Sequence, residues 1–360
     1  MSLRRLQVTD FRCLQSAVLD LDPRFTLISG SNASGKTSLL EAIYVLGRGR
    51  SFRTRRLEHL IRHDCERFVV FGEIETSDRR IPVGVEGSAS GIHAQIAGSK
   101  ASSLTELAMV LPVQIIDPEI HRLIEEGPSR RRRFLDWGVF QLFHGKQFMH
   151  YWQRYHQALK QRNAGLKAGQ PQAVVAAWDG DLVHYGELLT EARSGYVALL
   201  AKQAEVISRN LLGMELELSY RAGWARDLSF AESLLQSRSH EQASGATLVG
   251  PHRADLNIRL NGMAVKDRIS RGQQKLLAAA LLIAQLKLFP EDAALQPSLL
   301  LDDPAAELDD ERLAGLIHEV LGHSVQLIVT TLHGEFSAFG TPGQRFGVAA
   351  GRVQIVSRGT

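Results

Sequence analysis

Residues Phe25–Gly47 read FTLISGSNASGKTSLLEAIYVLG, and this stretch decides the fold. "FTLIS" is a short apolar run ending at a glycine, the pattern of a buried strand. "TSLLEAIYVLG" has apolar residues at helical spacing, with Gly47 where a C-cap belongs. Between them, Gly30–Thr37 fit the P-loop pattern G-x-x-x-x-G-K-[ST]. That spacing has a physical reason: consecutive backbone amides wrap a phosphate, glycines permit close approach, and the following helix points its positive end at the anion. The expected cradle is Gly30, Ser31, Asn32, Ala33, Ser34, Gly35, Lys36, Thr37 and Ser38. Lys36 is expected to reach the β- and γ-phosphates of ATP, and the Thr37 hydroxyl to ligate Mg²⁺.

A P-loop needs a second element, a buried strand that ends in a metal-holding carboxylate. Ser298–Asp303, SLLLDD, supplies it. Leu299–Leu301 form a continuous apolar run suited to a central parallel strand, and Asp302 follows at its carboxyl end. Asp303 is a second acid, placed to polarise an attacking water. Taken alone, Asp302 also reads as an ordinary cap or turn residue; the P-loop decides between the two.

Around these motifs the order is legible. The first 30 residues alternate apolar and polar, 68–85 read as a hairpin, and "GIHAQIAG" continues the β character. From about Glu119 to Gln236 the chain is rich in Leu, Ala, Gln and Arg at helical spacing. Then follow a helix over 273–289, a strand over 298–302, a helix over 311–321 and a strand over 325–331. Such alternation predicts a mostly parallel sheet flanked by helices, with an antiparallel β portion and an inserted all-helical lobe. The expected domains are 1–118 and 241–360, forming one α/β head, and 119–240 as the lobe.

Composition sets limits. Lys+Arg 42 against Asp+Glu 39 leaves +3, too little for bulk charge to announce a nucleic-acid partner, so any such claim rests on local clusters. Cys13 and Cys65 are the two cysteines and lack C-x-x-C spacing, which excludes a disulfide framework or zinc knuckle and points to a reducing compartment. The first residues, MSLRRLQVTDFRC, have no apolar run behind their basic residues. Leu276–Phe289, the most apolar helix, is shorter than the ~20 residues a bilayer requires. A cytoplasmic location is therefore expected.

Ile269–Leu277, ISRGQQKLL, opens that helix. Ser270 followed by Gln273 forms a capping box, which taken alone accounts for the stretch. The order of P-loop, SRGQQ, LLLDD and AELD, however, resembles the ABC-type ATPase heads, whose signature loop completes the ATP site of a second subunit. A helix start with Ser270, Gly272 and Gln273 suits that task, offering a hydroxyl, free amides and a positive dipole to a γ-phosphate. The resemblance implies a Q-loop role for Gln114 in LPVQIID and a D-loop role for Asp309.

Within that superfamily the chain resembles the RecF family, relatives of the SMC and Rad50 heads. LQVTDFR (Leu6–Arg12), GRSFR (Gly49–Arg53), RRRRFLDW (Arg130–Trp137), LKQRN (Leu159–Asn163), GPHR (Gly250–Arg253), SRGQQKLL and LLLDDPAAELD carry the likeness across nearly the whole chain. It implies an ATPase that dimerises on ATP and binds single-stranded and gapped or linear double-stranded DNA. It further implies recombinational gap repair, replication restart, SOS induction, and RecR and RecO as partners. Ala33 stands where many such heads have glycine. Asp303 replaces the glutamate usual in transporters and is one methylene shorter, implying slow hydrolysis. The switch histidine of many ABC ATPases falls at Thr331, with His333 two residues on.

Arg48, Arg50, Arg53, Arg55 and Arg56 form one arginine cluster and Arg130–Arg133 another. Guanidinium forks suit phosphate oxygens, and without a recognition helix or zinc module the expected contact is with backbone phosphates. The competing reading of the first cluster is a solvated or salt-bridged face. For the second, on an amphipathic helix whose Trp137 and Phe140 read as core, a structural role is expected. Trp152, Tyr151 and Tyr155 also read as core rather than base-stacking platforms. An ABC-type ATPase subunit with a non-DNA partner is the alternative. A transporter subunit leaves the helical insertion unexplained, an SMC arm needs heptads, and a small-molecule kinase has no use for SRGQQ.

Overall fold

The alternating amino-terminal residues fold as β1 (Ser2–Phe11) and β2 (Leu14–Asp20), each burying one side of its pleat. The computed structural model describes residues 2–142, 145–265, 269–290, 296–306, 310–321, 323–332 and 340–358. Its chain continues through β3 (Phe25–Ser29), α1 (Lys36–Arg48), β4 (Arg67–Glu75), β5 (Arg80–Ser88), β6 (Gly91–Ile96), β7 (Ser99–Lys100), α2 (Thr105–Val110) and β8 (Val113–Ile116). Then come α3 (Arg122–Glu125), α4 (Pro128–Leu142), α5 (Gly145–Lys167), α6 (Gln172–Ala176), α7 (Asp179–Leu212), β9 (Leu216–Arg221), α8 (Phe230–Ser244), β10 (Asp255–Leu260), β11 (Met263–Ala264) and α9 (Arg271–Lys287). The described elements end with β12 (Ser298–Leu301), α10 (Asp310–Leu321), β13 (Gln326–Thr331), β14 (Gln344–Ala349) and β15 (Arg352–Arg358).

Two compact units result, Met1–Ile120 with Phe289–Thr360, and His121–Leu288. The first holds an antiparallel sheet in the order β2-β1-β4-β5-β6-β7 and a mixed sheet in the order β15-β14-β3-β13-β12-β8. In the mixed sheet only the β14–β15 pair is antiparallel. Helix α1 contributes to a core shared with both sheets: Leu39, Ile43 and Leu46 pack in one cluster with Leu6, Val70 and Val83 of the antiparallel sheet and Ile28, Leu300 and Ile328 of the mixed one. A helix this apolar on every side needs such a place.

Gly47 is not the C-cap the pattern predicts. Helix α1 runs one residue further, and Gly49, at φ +61°, ends it with its N–H on the Val45 carbonyl. Gly47 lies inside the helix because a Cβ there would stand 2.6 Å from the Leu111 carbonyl oxygen.

In the second unit, α7 packs against α5 and α9, and β11, β10 and β9 form a small antiparallel sheet. This differs from the expected boundaries. The segment 119–240 is helical apart from β9, and residues 241–288 group with it instead of with the head. The reason is pairing: β10 lies along β9 with Leu260 opposite Leu216. Gln285 of α9, fully buried, donates to the Phe134 carbonyl at 3.1 Å and lies 2.6 Å from the Tyr196 hydroxyl. Tyr155 is core as expected, whereas Tyr151 and Trp152 are half-buried.

Candidate functional site

The loop between β3 and α1 turns through two left-handed residues, Ala33 at φ +60° and Gly35 at φ +117°. At Gly35 a side chain would crowd Cys13 and Leu14, each 3.2 Å from the position of a Cβ. Ala33 adopts its conformation against the preference of an L-residue, one that glycine would take without cost. Lys36 folds back over the loop and donates to the Gly30 and Ser31 carbonyls at 2.7 and 3.0 Å. Those are the bonds a phosphate would replace.

Thr37 at the start of α1 meets the end of β12. Its hydroxyl lies 3.0 and 3.1 Å from the two carboxylate oxygens of Asp302. Thr330 of β13 braces the same acid, donating to Oδ1 at 2.9 Å and accepting the Asp303 N–H at 2.9 Å. Asp302 is 8% exposed. Burial pushes its carboxyl above the usual range, the hydroxyls of Thr330 and Thr37 work the other way, Asp303 adds to the rise, and Arg53 opposes it. A hard divalent cation would relieve this, and a carboxylate beside a hydroxyl is a donor set that Mg²⁺ accepts when phosphates and waters complete the octahedron. Among the described residues, no three His, Cys, Asp or Glu side chains gather into a metal cage of their own.

Over these groups lies a cavity of about 610 Å³ lined by Asn32–Ser38, Asp302 and Asp303. Asp303, half-buried and at φ +46°, joins its wall. Gln114 does not. It is buried within β8, opposite Leu299, and Pro118 beyond the strand reaches the cavity instead. Thr331 is buried at the end of β13, and its carbonyl accepts the Gly30 N–H at 3.2 Å. Asp309 and His333 lie outside the described residues.

The signature stretch belongs to the second unit. Its capping box is fully formed: Ser270 Oγ accepts the Gln273 N–H at 3.3 Å, and the Ser270 N–H reaches Gln273 Oε1 at 3.0 Å. Ser270 and Arg271 are exposed and Gly272 is half-buried, leaving the helix start open to solvent.

The arginine clusters differ. Arg50, Arg53, Arg55 and Arg56 are exposed. Arg48 is half-buried over the Tyr44 ring, 5.6 Å from its centroid, and burial holds it below the usual arginine range. In the other cluster Arg131 makes a bidentate pair with Asp255 at 2.7 and 3.0 Å, and Arg132 donates to the Ala254 carbonyl at 2.8 Å. Arg130 pairs with Glu126 at 2.6 Å.

Four groups at the site escape pattern reading. Arg12, Cys13 and His59 line the cavity, and Glu41, one helical turn beyond Thr37, is fully buried against Arg12. The one visible signal was Glu41 itself, a lone acid in the apolar run LLEAIYVLG.

A P-loop, a braced aspartate at the end of the parallel strand β12, one strand removed from β3, and a capped SRGQQ helix on one chain define an ATPase head of the ABC and SMC type. The model of the RecF/RecN/SMC N terminal domain matches residues 2–351. The chain is 37% identical over 361 residues to the DNA replication and repair protein RecF of Shewanella pealeana, covering 99% of this chain and 100% of that protein. Identity to the protein of the same name from Pectobacterium atrosepticum is also 37%, over 362 residues, covering 99% and 100%. A solved structure described as "Structure of the recombination mediator protein RecF-ATP in RecFOR pathway" superposes with TM-score 0.88 at 28% identity, covering 99% of this chain and 98% of that one. An Smc head bound to the C-winged helix domain of ScpA shares the fold, with TM-score 0.60 at 17% identity and coverage of 99% and 97%. The chain belongs to the RecF family of DNA replication and repair proteins.

Proposed function

We propose that this chain is an ATP-dependent DNA-binding ATPase whose heads close in pairs around ATP. The observation that carries the reading is the Thr37–Asp302 hydrogen bond beneath the P-loop cavity, which joins a phosphate cradle to a metal-binding carboxylate. Lys36 would exchange its two carbonyl partners for phosphate oxygens. Thr37 and Asp302 would hold Mg²⁺, which would neutralise charge on the phosphates. Asp303 orients and polarises the attacking water, and its short side chain makes turnover weak. Ser270, Gly272 and Gln273 of a second copy close the site, so that ATP holds the dimer and hydrolysis releases it.

Arg50, Arg53, Arg55 and Arg56, with Arg48 behind them, offer DNA phosphates a sequence-independent surface, suited to single-stranded and gapped or linear duplex DNA. The names of its relatives, a DNA replication and repair protein and a recombination mediator of the RecFOR pathway, support a role in DNA repair with RecR and RecO; gap repair, replication restart, SOS induction and a cytoplasmic location are what the resemblance to the family implies. Among the described residues, no helix is long and apolar enough to cross a membrane.

Fluorescence anisotropy of a gapped duplex tests the reading. With ATP and Mg²⁺ the protein should bind about tenfold more tightly than with ADP, and Asp302→Asn should remove the difference. Equal affinity with ATP and ADP contradicts it.

A further inference from the structure

Glu41 is a fully buried carboxylate in the middle of α1, an otherwise apolar helix. Burying a carboxylate is expensive unless donors surround it, and three groups do, two of them charged. Arg12 donates through Nε at 2.8 Å and Nη2 at 2.7 Å, Arg53 Nη1 lies at 3.5 Å, and the Ser51 hydroxyl makes a short bond to Oε1. Ser51 in turn accepts the N–H groups of Arg53 and Thr54 at 2.9 and 3.0 Å, which sets the turn on which the arginine segment begins.

The far end of that segment is tied to the same place. The Arg12 N–H donates to the Leu60 carbonyl at 2.8 Å, and Arg62 donates to the Asp10 side chain at 2.7 Å. Asp10 and Arg12, at the turn from β1 to β2, hold left-handed backbone at φ +51° and +56°, strain of the kind that persists where surrounding structure enforces it. Arg12 and Arg53 both line the P-loop cavity. One carboxylate on the P-loop helix thus holds a wall of the cavity and the start of the exposed arginine segment together.

We propose that Glu41 is a positioning residue that couples occupancy of the P-loop cavity to the DNA affinity of residues 48–56. The inference rests on the reading of that cavity as the ATP site and of that segment as DNA-contacting. Polyphosphate entering the cavity competes with Glu41 for Arg12 and Arg53. Through Ser51 the exchange reaches the backbone of the arginine segment, and by reciprocity DNA on the segment changes affinity for nucleotide.

The test is a thermodynamic cycle on the full chain. The dissociation constant of a fluorescent ATP analogue with Mg²⁺ is measured with and without saturating gapped duplex, for wild type, Glu41→Gln and Ser51→Ala. In wild type, DNA should tighten the analogue by about tenfold. In both variants that ratio should fall toward one, while the analogue's affinity without DNA holds, or rises in Glu41→Gln as the competing carboxylate is removed. Loss of a merely structural contact lowers affinities without moving the ratio. Should Glu41→Gln fail to fold, Ser51→Ala, at a half-buried turn, decides. A wild-type ratio retained in Ser51→Ala overturns the proposal, and so does a wild type whose two ligands ignore each other. An analogue that does not bind wild type at all overturns the ATP reading itself.

Discussion

Two arginine clusters of similar density have opposite fates in this molecule. Arg131 and Arg132 spend their donors inward, on Asp255 and backbone carbonyls, while Arg130 pairs with Glu126 at the surface and Arg133 is exposed; Arg50, Arg55 and Arg56 stand exposed to solvent without such an inward set. Both are arginine-rich, though one is interspersed with Gly, Ser and Thr and the other opens an amphipathic helix. What separates them is whether the fold sets carboxylates and carbonyls opposite, and that is decided by residues more than a hundred positions away, such as Asp255.

The largest effect expected from this contrast is on stability. Arg131→Ala strands Asp255, itself mostly buried, and should cost about 3 kcal/mol in denaturant unfolding, with DNA affinity of the folded fraction unchanged. A loss below 1 kcal/mol would place Arg131 with the surface cluster instead.

The same inward-facing region contains a pH-sensitive member. His252 lies 2.7 Å through Nδ1 from the Tyr155 hydroxyl and 3.0 Å through Nε2 from the Thr247 carbonyl. Nε2–H donates to the carbonyl and Nδ1 accepts the phenol, so the ring is neutral. Burial lowers its pKa to about 4, helped by Arg253 and Arg132 and opposed by the Thr247 carbonyl. As pH falls through about 6.5 the unfolded chain takes a proton that the folded one refuses until about 4. Stability is therefore lost across that window, by about 3 kcal/mol. Thermal melts from pH 7 to 4.5 should show a steeper fall for wild type than for His252→Gln; parallel curves would rule His252 out.

For the outward cluster the expected change is in binding. Replacing Arg50, Arg55 and Arg56 together by alanine should leave stability within about 0.5 kcal/mol per site. The slope of log affinity against log salt for duplex DNA should fall by about one for each arginine that touches a phosphate. An unchanged slope would return these residues to the solvated face that their sequence equally allowed. The smallest effect belongs to Ala33→Gly. Left-handed backbone costs an alanine about 1 kcal/mol, largely offset by the added freedom of a glycine in the unfolded chain. The melting point should hold or rise slightly with nucleotide affinity retained; a marked fall would mean the loop depends on the alanine methyl.

The site's local parts were legible. GSNASGKT, SLLLDD and the Ser270–Gln273 box each encode their geometry within eight residues or fewer, and the structure forms all three. What pattern missed depends on distant packing. Gly47 looked like a cap, but it is the close approach of Leu111 that requires glycine there. The second unit reaches Leu288 because β10 must pair with β9, a partner that residues 241–288 do not contain. Glu41 was visible as an oddity, yet its meaning came only with Arg12 and Ser51, brought to it from other segments.

If one chain carries two halves of different ATP sites, the P-loop and the exposed start of α9, ATP should bring two copies together. Light scattering of the protein at micromolar concentration tests it most directly. With ATP and Mg²⁺ the mass should double, while Ser270→Arg, which places a bulky cation at the helix start, should stay monomeric yet bind ATP through its own P-loop. A wild type that remains monomeric with ATP bound, or a Ser270→Arg variant that dimerises as well as wild type, would contradict it.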